Sequence, residues 1–298
     1  MEESPSNLLN FLVRWIHPWQ LLAGLAFYCL GVGVGYYTGF PIDAGVFWIG
    51  LSIIISLLLS WQYIKGYYAL LFLPVNRKRT NLQTKRIHES GLLLVIFTFL
   101  AIGAVLTVIL FAREKMNLPA LVIIGMALLL VFFDAIPPFG LASRGYGEVT
   151  RAVIIANLIP ALGLTLQSPS FLPFLMKLVF PLTLLILAIE LAISLEGYGQ
   201  DLSTGRLTLM VRIGWERGIP LHNILILAFY LLIGVAVLTG LPWSLSWPVL
   251  LTLPVGLFLI WQMLQLAAGA KPRWKLLRYT AVGLLVVILY LYMFGLWI

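Results

Sequence analysis

Nine apolar runs, most of them near or above the twenty or so residues that a helix needs to cross a hydrocarbon core of about 30 Å, leave this chain few ways to fold. They lie at roughly 17–38, 43–73, 90–112, 119–135, 148–166, 171–195, 219–240, 244–268 and 275–297. Lipid offers no hydrogen-bond partner to a bare backbone, so each run is expected to be a helix that satisfies its own N–H and C=O groups. The composition agrees: 61% of the 298 residues are apolar, 10% are charged and the mean hydropathy is +1.03, well outside the range of soluble domains. The sequence thus predicts an all-α integral membrane protein, 1–298 forming a single transmembrane domain.

The basic residues orient the spans, because loops on the cytoplasmic side collect Lys and Arg. With the N-terminus inside, that side holds Arg14, Arg77, Lys78, Arg79, Lys85, Arg86, Arg144, Arg151, Arg206, Arg212, Arg217, Lys271, Arg273, Lys275 and Arg278, against only Arg113 and Lys115 opposite. The expectation is a plasma (inner) membrane protein with its N-terminus cytoplasmic and its C-terminus outside. The net charge of +8 then belongs to loops that meet anionic headgroups of membrane lipids, the Arg77–Arg86 cluster above all; it does not imply nucleic acid. The acidic start MEESPSN predicts no cleaved leader. A lone Cys29 excludes an internal disulfide. Trp15, Trp19, Trp243, Trp247 and Trp274 read as interfacial anchors.

Polar chemistry gathers in the inner segments 74–89, 134–151 and 196–218. Charges inside apolar spans are costly and mark functional candidates. Lys177 can snorkel to the outer surface. Lys65 and Glu190 lie toward the cytoplasmic ends of their spans with no partner nearby in sequence, and they are expected to pair or to line one polar cavity. In IPPFGLASRGYGEVTRA, Pro137 and Pro138 end the fourth helix, and Gly145 and Gly147 turn the chain into Glu148, an acid suited to a helix start. In GQDLSTGRLTLMVRIG, Gly197 and Gly199 are expected to break the sixth span, Ser203, Thr204 and Gly205 to form a turn, and LTLMVRIG to form a short helix over a cavity mouth. Asp201 with Glu196 offers oxygen ligands to a hard cation such as Mg²⁺; Arg206 and Arg212 offer donors to phosphate.

Those same residues carry a resemblance. Asp201, Gly205, Thr208, Leu209, Val211 and Gly214 stand where the UbiA superfamily of intramembrane prenyltransferases has the end of D-x-x-x-D and the following x-x-x-G-x-x-T-L-x-V-x-x-G. Pro137, Pro138, Arg144, Gly145, Gly147 and Glu148 are similar to the P-P-x-x-x-x-x-R-G-x-G-E region of its menaquinone-type branch. Nine spans and an inside N-terminus extend the likeness over the whole chain. The resemblance implies a UbiA-like bundle around a central cavity open toward the cytoplasm. It also implies transfer of a prenyl chain from a prenyl diphosphate to an aromatic or lipid acceptor, in quinone or lipid biosynthesis, with Mg²⁺ held between two aspartate motifs. On this reading Asp201 and Glu196 are catalytic and bind metal, while Lys65, Arg144, Glu190, Arg206 and Arg212 bind substrate.

The chain departs from that pattern where the chemistry is done. No Asp or Glu occurs between Asp43 and Glu89, so the helix-two motif is absent, and Lys65-Gly66-Tyr67 stands in that region. Four positions before Asp201 is Gly197, with Glu196 one residue off register. Gly140 and Ala142 replace the basic residues that usually follow the prolines. Two readings follow: a divergent prenyltransferase with one weakly held Mg²⁺, or a catalytically silent protein of the same fold that binds or transports a polyprenyl or quinone-like lipid.

Overall fold

The computed structural model describes the backbone of residues 11–71, 82–168 and 173–298, and the side chains of the same residues except 82–86. The apolar runs become α1 (Pro18–Tyr37), α2 (Ala44–Leu71), α3 (Leu82–Ala112), α4 (Leu118–Ala135), α5 (Gly147–Gln167), α6 (Pro173–Thr204), α8 (Trp215–Leu238), α9 (Trp243–Ala267) and α10 (Trp274–Trp297), with the short α7 (Leu209–Ile213) between α6 and α8. Among the described residues, nine of these helices are long and apolar enough to cross a membrane. Most of the basic cluster Arg77–Arg86, with its lipid-contact role, and the start MEESPSN lie outside what is described.

α5 runs through the middle of the bundle, with 78% of its span buried, whereas the partner of α2 in a long hairpin, α3, is 11% buried and faces outward. α1 and α5 cross closely because small residues meet there. A methyl group on Gly31 would lie 2.0 Å from the Pro160 carbonyl oxygen, and one on Gly163 would lie 2.6 Å from that of Tyr28. Without a hydrophobic force between helices in lipid, such close backbone approach is a main source of association. Pro160 itself has no N–H to give the preceding turn, and the helix widens to a π turn over Ile154–Leu158 just before it. α6 packs along α8, and α10 closes against α1 and α6.

The double proline ends α4 as its sequence predicts: Ile136 is extended, and α5 starts at Gly147 after a 3-10 turn that leaves through Gly145 at φ +82°. α6 differs from expectation. It does not break at Gly197 or Gly199 but runs on to Thr204, ending when Gly205 takes φ +71°. Arg206 N–H bonds the Asp201 carbonyl at 2.9 Å and Gly205 N–H that of Leu202 at 3.4 Å, the two bonds of a Schellman cap. Two glycines cost a helix about 1 kcal/mol each, too little to stop one that already packs along its length. The run LTLMVRIG does form a short helix, α7, begun by the Thr208 hydroxyl accepting from Val211 N–H at 3.2 Å.

Trp243 and Trp247 are exposed at 60% and 46%, as anchors should be, but Trp15 lies across Gly66, where a methyl group would meet its ring at 2.7 Å. That indole is a packing element. Lys177 donates to the Thr239 carbonyl at the end of α8, a favourable place for a cation.

Candidate functional site

The ends of α2, α4 and α6 and the starts of α5 and α8 meet at one end of the bundle, here the basic end. Two charges there have the wrong sign for their helix ends. Asp134 sits in the last turn of α4, where the dipole is negative, and Arg151 in the N-terminal part of α5, where it is positive. Each is held by a partner from another helix. Lys65 Nζ lies 2.6 Å from Asp134 Oδ2, and Trp61, one turn earlier on α2, donates its indole N–H to the same oxygen at 2.8 Å. The ammonium also rests 4.5 Å from the centre of the Trp61 ring. Arg151 pairs with Glu190 of α6. Lys65 lies in the field of Arg151 and Glu190 as well as Asp134, so the four charges form one cluster, two of each sign.

The expected pair between Lys65 and Glu190 is therefore corrected. They share a neighbourhood, but each takes a different partner. Asp134 was missed, although its position carried a signal: a carboxylate within an apolar run, one turn ahead of Pro137 and Pro138, at the same depth as Lys65. Asp134 is fully buried, whereas Lys65, Arg151 and Glu190 keep 28%, 21% and 15% of their side chains accessible. The cluster lines accessible space with its cations and seals its first anion.

The two loop motifs meet above this cluster. Glu148 Oε2 accepts from Leu209 N–H at 3.1 Å, so the acid at the start of α5 caps α7. Arg212 Nη1 donates to the Arg144 carbonyl at 2.8 Å and its guanidinium lies 4.2 Å from the Tyr146 ring centre; Arg144 donates to the Pro138 carbonyl at 2.7 Å. Gly145 allows this contact, since a Cβ there would be 3.0 Å from the Thr208 carbonyl oxygen. The structure thus brings Arg144, Arg212 and Glu148 together and uses all three to join the loops. Arg206 stands apart, its side chain 73% exposed and 3.8 Å from Asp201.

Glu196 and Asp201 do not converge. Five residues along a helix are about 140° apart around its axis. Asp201 lies over Gly197, whose missing Cβ would be 3.5 Å from its Oδ2, while Glu196 reaches Arg278 of α10 at 2.5 Å. Among the described residues no three His, Cys, Asp or Glu side chains gather as a metal site. Asp134, Glu190 and Glu196 each have a close basic partner, and Glu148 caps a helix. Of the acids named here, Asp201 is the one loosely held. Mg²⁺ on a diphosphate is ordinarily held by one or two carboxylates together with phosphate oxygens and water. Of this set Asp201 alone neither has a close basic partner nor caps a helix, so the donor set fits a two-motif magnesium–diphosphate clamp poorly.

No family model and no curated protein matches the sequence. Solved structures do match, over nearly the whole chain. A structure described as giving insight into the biosynthesis of digeranylgeranylglyceryl phosphate synthase in membranes aligns with a TM-score of 0.67 at 15% identity, covering 93% of this chain and 92% of that one. The apo structure of a UbiA homologue from Aeropyrum pernix K1 aligns with a TM-score of 0.63 at 13% identity, covering 92% and 96%. A UbiA homologue from Archaeoglobus fulgidus bound to GPP and Mg²⁺ aligns with a TM-score of 0.57 at 16% identity, covering 92% and 98%. The nine membrane-length helices among the described residues, aligned with these structures over nearly the whole chain, give it the UbiA fold.

Proposed function

We propose that this chain is a UbiA-fold membrane protein that holds an isoprenoid lipid at its basic end, a prenyl diphosphate or a polyprenyl or quinone-like molecule, without magnesium-dependent prenyl transfer. The observation that carries this reading is the Lys65–Asp134 ion pair. It occupies the end of α2, where the resemblance puts the first aspartate motif. Heterolysis of an allylic diphosphate needs metal or fixed cations to neutralise the leaving group as charge develops. Here the four charges of the cluster cancel among themselves, leaving within it neither a carboxylate set for Mg²⁺ nor a surplus cation. Arg206, with Arg144 and Arg212 at the loop junction, remains for contact with a head group.

The test is purified protein in detergent, offered Mg²⁺ and a panel of prenyl diphosphates. Binding without pyrophosphate release is expected. One observation favours the second reading, an active and divergent prenyltransferase: Asp201 keeps its motif position with only the 3.8 Å contact to Arg206. Pyrophosphate release that disappears in Asp201→Asn would establish it. The basic asymmetry further supports an N-terminus in the cytoplasm and a C-terminus outside, in the plasma membrane. Reporter fusions placing both termini on one side would overturn that.

A further inference from the structure

Away from the charge cluster, at the same end of the bundle, α9 and α10 diverge around a groove of about 710 Å³. Its outer wall is apolar and faces away from the core: Trp261 is 52% exposed, Phe258 39% and Leu276 38%, and the Phe258 and Trp261 rings stack with centroids 5.6 Å apart. Its rim is the turn that follows Gly269, where Lys271 and Arg273 flank Pro272. No acidic residue lines the groove, and among the described residues neither Lys271 nor Arg273 has an ion-pair partner. Several other cations of this end are engaged, Lys65, Arg151 and Arg278 in ion pairs and Arg144 and Arg212 on carbonyls, and Arg206 lies by Asp201 of α6.

We propose that this groove is a binding site for an anionic phospholipid, its phosphate on Lys271 and Arg273 and one acyl chain along Phe258, Trp261 and Leu276. The charge pattern selects this occupant. Two unpaired cations at the level of the headgroups attract a phosphate, and the aromatic shelf below them continues into the depth of the acyl chains. A zwitterionic lipid brings its own ammonium to the same rim and is disfavoured there. Gln265 adds a polar side chain to the groove's lining. The next turn of α10 carries Arg278, tied to Glu196 of α6, so a lipid in this groove steadies the helix that holds the end of α6.

The experiment is photo-crosslinking of the full chain in phosphatidylcholine nanodiscs doped with photoactivatable phosphatidylglycerol, with adducts mapped by mass spectrometry. Adducts should concentrate on residues 258–277, and the same probe on phosphatidylcholine should give few. A cation near an anionic surface contributes a factor of about five. The K271Q/R273Q variant should therefore lose labelling by roughly 25-fold if the two act independently. Labelling spread evenly around the helices, equal labelling by the zwitterionic probe, or undiminished labelling of the variant would each overturn the proposal. Should the variant not fold, competition on the unaltered protein decides: unlabelled phosphatidylglycerol should displace the probe, and displacement by inorganic phosphate or neutral diacylglycerol to the same extent would refute it.

Discussion

Lys65 Nζ and Asp134 Oδ2, 2.6 Å apart, join α2 to α4 at the basic end, and the Trp61 indole binds the same oxygen. Asp134 is fully buried, and these two donors hold its Oδ2. Removing one partner of a buried pair typically costs about 3–5 kcal/mol, whereas replacing both by apolar groups costs far less. Lys65→Met and Asp134→Leu should each destabilise strongly, and the double variant should recover most of the loss. The check is a double-mutant cycle by thermal unfolding in detergent, and additive losses would show that the pair contributes nothing.

The Glu196–Arg278 pair should behave differently. Its side chains are 33% and 54% exposed, and pairs of that kind contribute about 0–1 kcal/mol and weaken in salt. Glu196→Gln should lower the unfolding temperature slightly at low salt and hardly at all at 1 M NaCl. A large loss that persists in salt would mean that Glu196 has a second role.

Magnesium should matter little to the unaltered protein. A non-hydrolysable prenyl diphosphate should lose less affinity on chelation with EDTA than on Arg206→Ala. Isothermal titration of the two proteins, with and without chelator, decides this. Chelation that abolishes binding while the variant keeps it would favour the enzyme reading.

A metal site should nevertheless be one substitution nearer than the sequence suggests. A Cβ on Gly197 has ordinary van der Waals room, 3.5 Å from Asp201 Oδ2, so Gly197→Asp places a second carboxylate one turn away on the same helix face. Without metal the two anions repel and the variant should be less stable than its parent. Mn²⁺ or Mg²⁺ should restore it in a concentration-dependent way, since a ligand that binds only the folded state stabilises it. Equal responses of variant and parent to metal would show that the two carboxylates do not share a site.

Glu148 holds α7 through the Leu209 N–H. Glu148→Gln keeps an acceptor there and Glu148→Ala does not. Hydrogen exchange at Leu209 and its neighbours should therefore accelerate in the alanine variant only, with α5 and α6 little changed, as a locally opening segment would show.

Much of this molecule is determined by one-dimensional information. The number of spans follows from the length of each apolar run, because backbone groups in lipid must be satisfied within the helix they belong to. The end of α4 at Pro137, the turn through Gly145 and the short α7 are equally local, set by a missing N–H, a positive φ and a capping hydroxyl. The extent of α6 beyond Gly197 and Gly199 was not local, since packing outweighs two unfavourable propensities. Pairing was decided only in three dimensions. Lys65 had two acids within reach, Glu190 and Asp134, and no sequence spacing distinguishes them; which one it meets depends on how α2, α4, α5 and α6 are rotated against each other. The same rotation turns Glu196 toward Arg278 and away from Asp201. The sequence by itself determined that charges would be buried at one end of a nine-helix bundle, and the tertiary structure decided that they neutralise one another, because electrostatic partners are chosen by distance in space.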